Sequence, residues 1–103
     1  MTLHAKYEIE HGPIRQIDYI NGGERNSVRI ILRDPQDVST VRVILNELRL
    51  EFERKSENGA DLLEIQNPEM PDLARNLRKK HLITKDEMYE IQREFLKIPM
   101  QRF

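Results

Sequence analysis

The chain has 103 residues, 34% charged and 38% hydrophobic, with net charge −1 and no cysteine, which makes one domain or a small core with an appendage. The composition excludes disulfides, thiol catalysis and thiolate metal sites. No apolar run approaches the ~18 residues of a membrane span and residues 1–6 lack the basic-then-apolar plan of a signal peptide, so a cytoplasmic protein with no membrane partner is expected.

Tyr7 to Glu10 alternates, with Lys6 and Glu8 outward, as a half-buried strand does, and Gly12-Pro13 ends it because proline cannot donate to a ladder. Ile14 to Ile20 reads as a second strand, although Ile17 and Tyr19 fall on one face and Ile14 and Ile20 on the other. Asn21-Gly22 supplies the two positive φ angles of a type I′ turn, so Val28 to Arg33 should pair back antiparallel.

Asp34-Pro35-Gln36-Asp37 then places an N-cap acid, a proline at the first helical position and a second acid near the positive end of the helix dipole. Val38, Val41, Leu45, Leu48 and Phe52 follow at spacings of three and four, with Ile44 beside them, which predicts a helix of about five turns. Its other face carries Arg42, Glu47, Arg49, Glu51, Glu53 and Arg54, and Asn58-Gly59 suits its C-terminal end. Barely two and a half heptads are present, which favours a helix packed on a core over a coiled coil. Asp61 to Ile65 reads as a fourth strand.

In the last third, Met70, Leu73 and Leu77 form one helical stripe and Met88, Ile91, Phe95 and Ile98 another. Between them Thr84 and Glu87 have the spacing of a capping box, so a new helix starts at Lys85 and Leu82 and Ile83 fill the corner of a helical hairpin. An apolar face of this kind must be covered, by the rest of the chain or by another one. The chain is thus expected to be α+β: a small antiparallel sheet of about four strands with one long helix across it in residues 1–66, a linker at 67–71, the hairpin at 72–98 and a tail at 99–103 whose Met100 and Phe103 either tuck in or enter a partner's groove.

Leu73 and Leu77, the corner Leu82-Ile83-Thr84, Glu87, Met88 and the pair Phe95-Leu96 together resemble the short C-terminal domain known as SHOCT, over about a quarter of the chain. His81 stands where that family usually has glycine, and Met88 where it has phenylalanine or tyrosine. The resemblance implies a C-terminal unit for oligomerisation or docking, with no catalytic residues.

Little in the chain points to chemistry. His4, His11 and His81 lack the spacing that places two ligands on one metal, so neither metal nor cofactor is expected. Asp34, Asp37 and Glu87 serve helix starts, Glu8 and Glu10 face outward, and Ser27, Ser39 and Ser56 sit in no nucleophile elbow. Gly22-Gly23 leads into a strand, whereas a phosphate-cradling loop leads into a helix. No enzyme is expected.

Residues 72–103 hold eight Lys and Arg against five Asp and Glu, the remainder nine against thirteen, so a basic tail follows an acidic body. The expected role is a protein-interaction or oligomerisation module in which Leu73, Leu77, Leu82, Met88, Ile91 and Phe95 make the apolar contact and a basic edge of Arg75, Arg78, Lys79 and Lys80 gives orientation. The alternative is a nucleic-acid-binding regulator that uses the same edge with Lys85. Against it stand the lack of an exposed aromatic among these cations and the acids Asp86, Glu87, Glu90 and Glu94 of the second helix.

Overall fold

The computed structural model describes residues 3–21 and 26–96, and side chains at 5–20 and 26–94. Among the described residues five strands form one antiparallel sheet: β1 (Leu3–Glu8), β2 (Ile14–Asn21), β3 (Asn26–Leu32), β4 (Phe52–Glu57) and β5 (Ala60–Gln66), in the order β1-β2-β3-β5-β4. A 3-10 turn at Pro35–Asp37 leads into α1 (Val38–Glu47), and α2 (Met70–Lys79) and α3 (Lys85–Leu96) follow the sheet. The α+β class expected from the sequence is therefore the one that forms, with one strand more and a shorter central helix. The type I′ turn expected at Asn21-Gly22 and the tail residues Ile98, Met100 and Phe103 lie outside the described residues.

Cross-strand partners share a face, so the register sorts the side chains. Tyr7 opposes Ile17, Tyr19 opposes Val28, Ile30 opposes Leu63, Val28 opposes Ile65 and Phe52 opposes Ile65. These residues make one apolar face. Val38, Val41, Ile44 and Leu45 of α1 pack with it, together with residues of α2 and α3, in a single buried cluster.

The conflict over Ile14 is resolved by a bulge. The register shifts between Ile14 and Gln16, so one extra residue turns Ile14 back toward the face of Ile17, and it is fully buried opposite Leu32. A strict two-residue period cannot show this, because the inserted residue is a property of the pairing.

The long helix expected from Val38 to Asn58 stops at Glu47. Arg49 sits at φ 56; its N–H donates to the Asn46 carbonyl at 3.1 Å, and the Leu50 N–H to that of Leu45 at 3.0 Å. That is a Schellman ending with an arginine where glycine is usual, and Leu50 and Leu45 supply its apolar contact. Residues 52–57 instead form an edge strand, and Asn58 (φ 52) and Gly59 (φ 77) make the two-residue turn that joins it to β5. The Asn-Gly pair read as a helix end is thus a hairpin turn. The helix start was better anticipated: Asp34 accepts from the Gln36 N–H at 3.0 Å ahead of Pro35, through a 3-10 turn rather than a direct α entry.

On the opposite sheet face, Lys6, Asp18, Arg29 and Glu64 oppose one another in turn across four strands. Glu64 accepts from Arg29 Nε at 3.0 Å and from Lys55 Nζ at 2.6 Å, and Leu62 is buried beside this network, outside the main cluster. The Lys55 hydrogen bond, aided by Arg29 and opposed by partial burial, holds the Glu64 carboxyl below the usual carboxylate range, and the same bond raises Lys55. A carboxyl with a lowered folded pKa stabilises the fold above its unfolded value, and that contribution fades as pH falls through the folded one. Glu64→Gln should therefore cost about 1 kcal/mol at pH 7, the upper end for a solvent-screened pair. Urea unfolding should show this difference shrinking steadily below about pH 4.5.

Candidate functional site

The C-terminal hairpin is held by its own ends. The Thr84 amide donates to Glu87 Oε1 at 2.8 Å, and the Glu87 amide to Thr84 Oγ1 at 3.1 Å, the reciprocal pair of a capping box. At the end of α2, His81 takes φ 61; its N–H donates to the Arg78 carbonyl at 2.9 Å and the Leu82 N–H to that of Leu77 at 3.0 Å. This second Schellman ending has histidine at the position glycine prefers. Thr84→Ala should lower stability by about 1 kcal/mol. His81→Gly should raise it by up to about 1 kcal/mol, since it relieves a left-handed side chain; denaturant midpoints of the two variants should move in opposite directions.

The residues expected to form an intermolecular apolar contact lie elsewhere than expected. Leu73, Leu77 and Ile91 are fully buried, and Leu82 and Met88 are 5% and 9% exposed, all in the same cluster as the sheet. The side chain of Phe95 lies outside the described residues. The oily face is covered by this chain, because its own sheet offers a matching face without the entropy cost of association. Leu73, Leu77 and Ile91 are thus buried within the chain itself, while Leu82 and Met88 keep a small exposed remainder. Met70 and Pro71, expected in a linker, open α2.

Further bonds fix the hairpin in place. The Tyr7 hydroxyl donates to Glu90, joining β1 to α3, and Gln92 Nε2 donates to the Pro71 carbonyl at 3.2 Å. Partial burial, reinforced by the Glu90 carboxylate, pushes the Tyr7 hydroxyl well above its ordinary pKa, so it remains a donor.

What the hairpin leaves outside is charged. Arg75, Arg78, Lys79 and Lys80 are all exposed, as the basic edge requires, and Arg75 also pairs with Asp72 at 3.1 Å. A groove of about 440 Å³ between α2 and α3 is lined by Arg75, Arg78, Lys79, Lys85, Met88, Tyr89 and Gln92. Among the described residues its lining holds four cations and no carboxylate, with Asp72 paired to Arg75 beside it. Tyr89 is 54% exposed there, and Lys85 Nζ lies 5.9 Å from its ring centroid. The sequence reading placed no aromatic among these cations. Its signal was present: Tyr89 lies four residues after Lys85 and off the stripe of Met88 and Ile91, which puts it on the outer face beside that lysine.

A second groove, of about 510 Å³, runs between the β1–β2 loop and the α2–α3 corner and brings His11 and His81 together with Arg78, Lys85 and Glu87. Among the described residues no three His, Asp or Glu side chains converge as a metal-binding group, and no helix is long and apolar enough to cross a membrane. No family model, curated protein or solved structure matches the chain.

Proposed function

We propose that the chain is a non-catalytic interaction module of the cytoplasm that presents the basic outer face of its C-terminal hairpin to an acidic partner. The supporting observation is the α2–α3 groove, whose charged lining is uniformly positive on a chain of net charge −1. An acidic surface on another protein, or the acidic body of a second copy, complements it, in line with the docking role implied by the SHOCT resemblance. Its inner apolar stripe serves the fold. Its outer stripe serves recognition.

The test uses the full chain. Retention on immobilised poly-L-glutamate at low salt and light scattering as a function of concentration are measured for wild type and for R75E/R78E/K79E. Retention or self-association that disappears in the triple variant, with unchanged thermal unfolding, supports the proposal. A wild-type monomer that poly-L-glutamate does not retain overturns it. The second reading, a nucleic-acid binder, is favoured by one observation that acidic proteins do not require: the exposed ring of Tyr89 among the cations.

A further inference from the structure

We propose that the groove between α2 and α3 binds single-stranded nucleic acid, with phosphates on Arg75, Arg78 and Lys79 and a base stacked on Tyr89. The inference rests on the basic-face reading above, keeps its cationic surface and replaces the acidic protein by a strand as its occupant.

Arg75, Arg78 and Lys79 stand at spacings of three and four on α2, so their side chains form one ridge along the groove. Tyr89, on α3, lines the same groove, and so does Lys85, within cation–π distance of the ring. The ring is 54% exposed, so solvent reaches it within the groove. Backbone cations beside an open aromatic face are what sequence-tolerant single-strand binding requires, because every base has a face to stack.

Two of the four acids of α3 that argue against nucleic acid are engaged within the chain. Glu87 is bonded to the Thr84 amide, and Glu90 accepts from Tyr7 on β1. Neither lines the groove. Asp86, at the start of α3, remains exposed, and it opposes insertion of that helix into a duplex groove, where phosphates crowd both sides. Asp86 stands three residues before Tyr89 on α3, and neither it nor Glu94, also exposed, is among the residues lining the groove, so a single strand need meet only the lining cations and the ring. An acidic peptide would satisfy the cations equally well, but it has no use for the ring, which makes Tyr89 the discriminating residue.

Fluorescence anisotropy of labelled oligothymidylate and oligouridylate with the full chain tests the inference, in wild type, Y89A, Y89F and R78E/K79E. Three phosphate contacts on a single strand predict a log–log salt slope of about −2, so raising salt from about 50 to about 200 mM should weaken binding roughly 20-fold. Y89A should weaken it about 5- to 150-fold and Y89F should restore most of that loss. R78E/K79E should abolish it. No binding at low salt overturns the inference. Binding that R78E/K79E removes but Y89A leaves intact, or that poly-L-glutamate displaces as readily as unlabelled strand, overturns the nucleic-acid assignment while the basic-face reading stands. Equal competition by free thymidine monophosphate at matched phosphate concentration overturns the strand in favour of a mononucleotide.

Discussion

Leu77→Ala is expected to destabilise the whole chain by about 2 to 5 kcal/mol. Leu77 is fully buried between the hairpin and the sheet, and its carbonyl accepts the Leu82 N–H that ends α2, so the truncation opens a cavity at the corner the hairpin turns on. A domain of this size is commonly stable by about 5 to 15 kcal/mol, so one substitution removes a large share. The melting temperature should fall by roughly 10 to 30 °C. Tyr89→Ala, on the outer side of the same hairpin, should stay within about 0.5 kcal/mol. In a Tyr7→Phe, Tyr89→Phe background the near-UV tyrosine signal is that of Tyr19, which is 3% exposed on β2 and reports the sheet during unfolding. Because the core is shared, that signal and the helical far-UV signal should shift together in Leu77→Ala. A sheet signal that keeps its wild-type midpoint would show the hairpin to be an independent appendage.

Deleting everything after Glu69 should have a larger effect still. It removes Met70, Leu73, Ala74, Leu77, Leu82, Ile83, Met88 and Ile91 from the core cluster and leaves α1 as the only described helix over the apolar sheet face. Losing this many buried side chains, at about 1.5 to 3 kcal/mol each for the large ones, exceeds the usual net stability of such a domain. Residues 1–69 should therefore show no cooperative thermal transition and should bind a hydrophobic dye. A cooperative transition in that fragment would contradict the shared core. For the same reason, a change in sedimentation after this truncation reports unfolding, and charge reversal on the outer face is the sounder probe of partner binding.

Elements whose signals are local were legible in the residues. The capping box at Thr84 and Glu87, the Asp34-Pro35 entry and the antiparallel return of the strand from Val28 all appear where expected, because each depends on residues close in sequence. Where two local signals competed, only the pairing decided. The stripe Leu45, Leu48 and Phe52 continues a helical period past residue 47, yet β5 leaves an edge that residues 52–57 can pair with, and the Asn58-Gly59 turn serves a hairpin better than a helix end. Arg49 hid the end of α1, since it is not the glycine that marks a left-handed position in sequence, whereas the Thr84 capping box fixed the corner that His81 turns into. For the site, the cations of α2 were visible as a cluster. Their meeting with Tyr89 depends on how α3 lies against α2, which the residues alone do not state.

The central claim is that the C-terminal hairpin and the sheet are one cooperative core, with the hairpin's charged side turned outward among the described residues. Native-state hydrogen exchange tests it most directly at two amides, Ile30 on β3 and Ile91 on α3, both of fully buried residues. With a shared core, both exchange only through global unfolding, with opening free energies that agree and that match the stability from denaturant. An Ile91 amide that opens several kcal/mol more easily than that of Ile30 would contradict it, and the apolar stripe of the hairpin would again be free to meet a partner.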